Sequence, residues 1–269
     1  MSDMFINAYQ QIRERMDLKV QTAAFSILSL LYFVLYTVVS IILGNIVNDV
    51  ATVIGFWMLN LVSTYVYMRF FFRIIAAMRK EETVIYFRDC LWMLVLESLL
   101  FGFTILAYYA FVWFIDLYTL IGIIAYVYVF FCTAFQLFCF YEVYRGNRTL
   151  GAIVSGALRH MLAAWKGVLA ACTLLVFFYC VLYICSMGVD ITLQVIQPHV
   201  AILNIGVTMN RWMEVGTVVL TMLMSGLFDS TILLFLLYQV IAALLFSYFY
   251  IIWMGWITQL CEASWNSEN

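Results

Sequence analysis

Charge is what this sequence has least of. Lysine, arginine, aspartate and glutamate make up only 10% of the 269 residues, with a net charge of −2. A water-soluble domain carries roughly 25% charged and about 45–50% apolar residues. Here 67% are hydrophobic, so no aqueous surface can be built and the solvent is lipid. Proline occurs once, at Pro198, and histidine twice, at His160 and His199. Two histidines on opposite sides of a membrane exclude a three-ligand zinc site. No phosphate-binding glycine loop, nucleophile elbow or C-x-x-C pair is present. Cofactors are therefore not expected, and neither is nucleic acid, since the net charge is −2 and the bases are confined to the membrane edges. The seven cysteines, at 90, 132, 139, 172, 180, 185 and 261, read as small buried side chains rather than a disulfide framework.

What is present is length of apolar run. In lipid every backbone N–H and C=O must be satisfied internally, which leaves helices or closed barrels. Barrel strands alternate apolar and polar residues, whereas these runs are continuous. The expectation is an all-α, polytopic transmembrane helical bundle. A span takes roughly 20 apolar residues, and five runs meet that within residues 20–187: Val20–Val47, Ala51–Met78, Leu91–Ile115, Leu117–Tyr141 and Met161–Met187. A sixth occupies 229–260, with Asp229 as its N-cap. Residues 1–19 place Phe5, Tyr9, Ile12 and Met16 at helical spacing, as in an amphipathic helix on the cytoplasmic membrane surface. Residues 261–269 form a short polar tail.

The 188–228 segment is too apolar for a free loop. Helices at the outer interface, or re-entering partway, are the favoured reading; Trp212 to Phe228 as a seventh span is the alternative.

Orientation follows from the bases. Of the 13 lysines and arginines, 12 fall on one side and only Arg211 on the other. That side is cytoplasmic by the positive-inside rule, which puts the N-terminus inside and, with six spans, the C-terminus too. These bases suit anionic lipid headgroups. Trp57, Trp92, Trp113, Trp165, Trp253 and Trp256 lie near helix ends, as interfacial indoles do.

"RKEETVIYFRD", residues 79–89, is the densest charge. Glu81 and Glu82 resemble the paired acids of an intramembrane protease only in being adjacent. They fall in the loop between the second and third spans, far from either histidine, and read as a solvated boundary. "RKEETVIYFRDCLW" resembles the cytoplasmic hairpin loop of bacterial YesL-like membrane proteins, with Glu-Glu shortly before Phe-Arg. "FQLFCFYEVYRGNRTLGAIVSGALRHML" is similar to the region after their fourth helix, with Ala157 as the alanine near a helix start. The resemblance covers about residues 65–175, and the related YciC-like proteins match nearly as well. It implies a multi-pass protein of the bacterial cytoplasmic (inner) membrane, of unsettled function and sometimes associated with carbohydrate uptake systems. It carries over no catalytic residue. The lack of a recognisable acid/base pair or nucleophile–base set makes the expectation non-enzymatic, and the large apolar surface suits other membrane-protein subunits as partners.

An ionisable residue inside a membrane is a functional hypothesis by default. Glu97 lies about 9 Å past Leu91 at 1.5 Å per residue, on one face with Cys90, Thr104 and Tyr108. Arg73 lies at a similar distance before Arg79, with Arg69 a turn deeper. An antiparallel hairpin brings Arg73 and Glu97 level, and Gln136 of the fourth span completes the cluster. Arg69, Arg73, Glu97 and Gln136 are thus the candidate intramembrane polar site. They admit three readings: an ion pair locking the hairpin, a substrate or ion path, or arginines snorkelling to the cytoplasm. An accessory or scaffold protein of a transport system is the leading expectation for function, and a small transporter or channel the alternative.

Overall fold

A computed structural model describes residues 2–46, 49–80, 87–114, 118–187, 212, 215–216, 218–223, 226 and 230–266. Among them there is no strand. The helices are α1 (Ser2–Arg15), α2 (Leu18–Ile46), α3 (Asp49–Arg79), α4 (Phe87–Phe114), α5 (Tyr118–Arg145), α6 (Leu150–Ala163), α7 (Trp165–Met187) and α8 (Ser230–Asn266). By length and composition, three described stretches can cross a membrane: Leu18–Val38, Trp57–Arg79 and Ile232–Asn266. The bent pair α6–α7 makes a fourth if taken as one span. The chain is a helical protein built for a lipid surround. Leu31, Val62, Leu99, Phe177 and Leu234, on five different helices, are each more than half exposed.

The core is arranged around α8. At about 56 Å, from 37 residues at 1.5 Å each, it exceeds the roughly 30 Å hydrocarbon thickness. It touches α1, α2, α3, α5, α6 and α7. From Tyr250 to Cys261 nearly every side chain is buried, the mark of a helix packed on all sides. Trp253 is 0% exposed, with its indole N–H on the Ala171 carbonyl of α7 at 2.9 Å, and Trp256 is buried as well. These two indoles belong to the core and not to a headgroup belt, whereas Trp92 and Trp165 are exposed. The expected polar tail from residue 261 is instead helical through Asn266, and its Trp265 lies against His160 with ring centroids 4.9 Å apart. Asp229 lies outside the described residues.

The N-terminal segment is helical, but its apolar face meets protein. Ala8 and Ile12 are fully buried, and Phe5 lies edge-on to Trp256. Gly255 on α8 admits this approach, since a Cβ there would stand 2.3 Å from Ile12 Cδ1. Small residues allow such close helix contact in membranes. Asp17 then starts α2 as its N-cap, accepting the Lys19 and Val20 N–H groups at 3.0 and 3.3 Å.

The span expected from Met161 breaks at Ala164. There α6 and α7 meet at 86°, so α7 starts at Trp165. Pro198 and His199 lie outside the described residues. In the same segment, Trp212 donates to Ser247 Oγ at 3.1 Å, and Val218 and Met222 pack on Phe235. These residues therefore run along the first half of α8. Ser247 is about 26 Å from the start of that helix.

Candidate functional site

Of the four candidate residues, the structure brings two together. Glu97 on α4 and Gln136 on α5 are 0% and 1% exposed, and Gln136 Nε2 donates to Glu97 Oε2 at 2.8 Å. Asn60 on α3, also buried, lies beside that carboxyl group. Three helices thus each contribute one polar side chain to a buried point, and Met93 on α4 and Ala134 and Leu137 on α5 are fully buried too.

Arg69 and Arg73 are not part of it. Both lie on the exposed face of α3. The expected level pairing of Arg73 with Glu97 fails because the hairpin is staggered. Tyr65 of α3 packs edge-to-face on Phe87, the first residue of α4, at 5.2 Å between centroids. Glu97 therefore faces the Asn60 region, about 20 Å along α3 from Arg73. Arg69 lies instead in the electrostatic neighbourhood of Cys90. Thr104 and Tyr108 have side chains outside the described set. The signal for Asn60 was in the sequence: an amide inside "FWMLNLVSTY", where lipid offers it no partner.

Serine and threonine add little to any polar path. Thr22, Ser29, Ser98, Thr173 and Thr258 each donate to a carbonyl four residues back, which satisfies the hydroxyl within its own helix. The groove between α2 and α3, lined by Phe25, Tyr32, Leu59, Tyr67 and Phe70 among others, is apolar.

A second polar cluster sits where α5, α6 and α8 converge. The α5 helix ends in a Schellman motif. Gly146 at φ 108° takes the left-handed position, its N–H reaches Val143 O, and Asn147 N–H reaches Glu142 O, both at 3.1 Å. Thr149 then caps α6 through Ala152 N–H. This tight turn folds Asn147 back so that its amide donates to Glu142 Oε2. It also lays α6 across α5 with Ile153, Ala157 and His160 facing inward. His160 Nε2 stands 3.5 Å from Glu142 Oε1, an ion pair when the imidazole is protonated. Glu142 is 1% exposed, and Gly156 packs closely on it: a Cβ there would come within 2.8 Å of its carboxyl group, which would have to shift. The Arg145 guanidinium lies 5.0 Å from the Trp265 ring centroid, a cation–π contact.

Neighbouring charges tie the same end together. Arg79 reaches Glu262 at 3.9 Å and Tyr141 Oη at 3.4 Å, and Arg148 reaches Asp89 at 3.2 Å. The charges flanking "RKEETVIYFRD" are thus struts to α5, α8 and the α5–α6 turn, while Glu81 and Glu82 lie outside the described residues.

No family model, curated protein or solved structure matches the chain. Among the described residues no group of three or more His, Cys, Asp or Glu side chains is placed to hold a metal.

Proposed function

We propose that the chain is a non-enzymatic, multi-pass protein of the bacterial cytoplasmic membrane, serving as an accessory or scaffold component of a transport system. In this reading α2, α3, α4, α5, α7 and α8 all span, giving six crossings with both termini inside. The single observation that carries the reading is the closure of the interior around Glu97 and Gln136, where a solute path would need a wet cavity. The large apolar exterior suits association with other membrane subunits as well as with lipid. The distribution of basic residues supports the orientation, and the resemblance of residues 65–175 to YesL-like and YciC-like proteins points to carbohydrate uptake as the class of system.

The alternative is a small transporter or channel using the buried polar cluster, with Asn60 in place of the arginines. It is favoured by the oxygens of Glu97 and Gln136 that lack hydrogen-bond donors. Purification of the full chain from native membranes in mild detergent, with parallel reconstitution into liposomes, separates the two. Stoichiometric recovery of transport-system subunits, without solute flux from the chain alone, is the expected result. Flux through the purified chain would overturn the scaffold reading.

A further inference from the structure

The Glu97–Gln136 contact leaves an imbalance. Gln136 Nε2 donates to Glu97 Oε2, yet Oε1 of Glu97 and Oε1 of Gln136 are both buried without a hydrogen-bond partner. An ionised carboxylate and an amide oxygen are both acceptors only. Two orphan acceptors therefore sit in adjoining side chains in the apolar interior, where an unpaired polar group is costly and an unpaired charge more so. One hydrogen atom removes both deficits. Placed on Glu97 Oε1, it makes that oxygen a donor and gives Gln136 Oε1 the hydrogen bond it lacks.

We propose that Glu97 is a proton-binding site, holding a proton on Oε1 that it donates to Gln136 Oε1, so that acid and amide join α4 to α5 through two opposed hydrogen bonds. The ligand is a proton rather than a metal cation. A dehydrated calcium or magnesium ion takes about six or more oxygen ligands, whereas this point offers two orphan oxygens. Among the charged and titratable groups nearby, Cys139 faces Glu97 from α5, and α3 contributes the neutral Asn60. Arg69 and Arg73 face outward, so no described guanidinium neutralises the carboxyl group and the proton does so instead.

Infrared difference spectroscopy of the full chain in lipid nanodiscs at neutral pH tests this directly. The wild type minus Glu97→Gln spectrum should contain the C=O stretch of a protonated carboxylic acid. Loss of an ionised carboxylate stretch in its place overturns the proposal. Gln136→Leu supplies a second reading that does not depend on the first variant. It removes both the donor to Oε2 and the acceptor for the proton, so the acid C=O band should move to higher frequency; an unmoved band overturns the pairing. Thermal melts in sodium, potassium and a bulky organic cation should coincide. A sodium- or potassium-dependent rise in the wild type, absent from Glu97→Gln, would identify a metal cation in the proton's place.

Discussion

Tyr65 and Phe87 meet edge-to-face at 5.2 Å, and this contact fixes the register of the α3–α4 hairpin. α3 continues fourteen residues past Tyr65 before it ends at Arg79. In that extension Phe70, Phe71, Ile74 and Ile75 are buried while Arg69 and Arg73 face outward. The same offset sets Glu97 beside Asn60.

Arg73→Gln and Glu97→Gln should therefore act independently. Sites further apart than about 7–10 Å with no shared partner contribute additively. The shift in melting temperature of the double variant should equal the sum of the single shifts. Recovery of stability in the double variant would restore the ion-pair reading.

Glu142→Ala should be the more damaging loss. It removes the acceptor for Asn147 and the counterpart of His160, leaving donors inside a packed junction at about 1–3 kcal/mol. Gly156→Ala should lower stability in the same direction, because its methyl group displaces the Glu142 carboxyl group from His160. Thermal unfolding in detergent reads both, and a neutral Glu142→Ala would remove this cluster from the account of what holds α6.

Gly255→Ala should loosen α1. The added methyl meets Ile12 Cδ1, and such overpacking costs about 1–3 kcal/mol. Ile12→Val deletes that carbon, so combining the two should recover part of the loss. Hydrogen exchange across residues 2–15 should rise in Gly255→Ala and fall back in the pair; unchanged exchange would detach α1 from this contact.

Orientation has its own test. In a background without native cysteines, single cysteines at Lys80 and Gly151 should resist a membrane-impermeant thiol reagent in intact cells, while one at Asn48 reacts. Labelling of the first two from outside inverts the proposed topology.

Helix existence was legible in the sequence because continuous apolar runs leave lipid no other backbone solution. The Asp49–Arg79 helix agrees closely with the run from Ala51 to Met78. Register was not legible, since apolar periodicity says nothing about how far one helix slides past its neighbour; Arg73 and Glu97 looked level for that reason. Glu97 with Gln136 could be found because polar residues inside lipid must meet something. The Glu142–His160 contact was hidden because both residues sit near a charged loop that reads as solvated. Their burial depends on α6 lying across α5, and no residue announces the 86° bend at Ala164 that parts α6 from α7. Trp253 and Trp256 misled in the opposite way. Tryptophan near a helix end suggests a headgroup belt, but α8 runs beyond the bilayer thickness and carries its indoles into protein.

The central place of α8 has a consequence for biogenesis. Chains emerge from the ribosome N-terminus first, and early segments begin to fold before later ones exist. Here α1, α2, α3, α5, α6 and α7 all precede the helix against which they pack. Until it is delivered by the insertion machinery, faces destined for Tyr250 to Cys261 stand against lipid or against one another. Groups such as the Ile12 side chain and the Ala171 carbonyl wait without their partners. The earlier helices thus pass through a loosely associated stage that ends only when their last neighbour arrives.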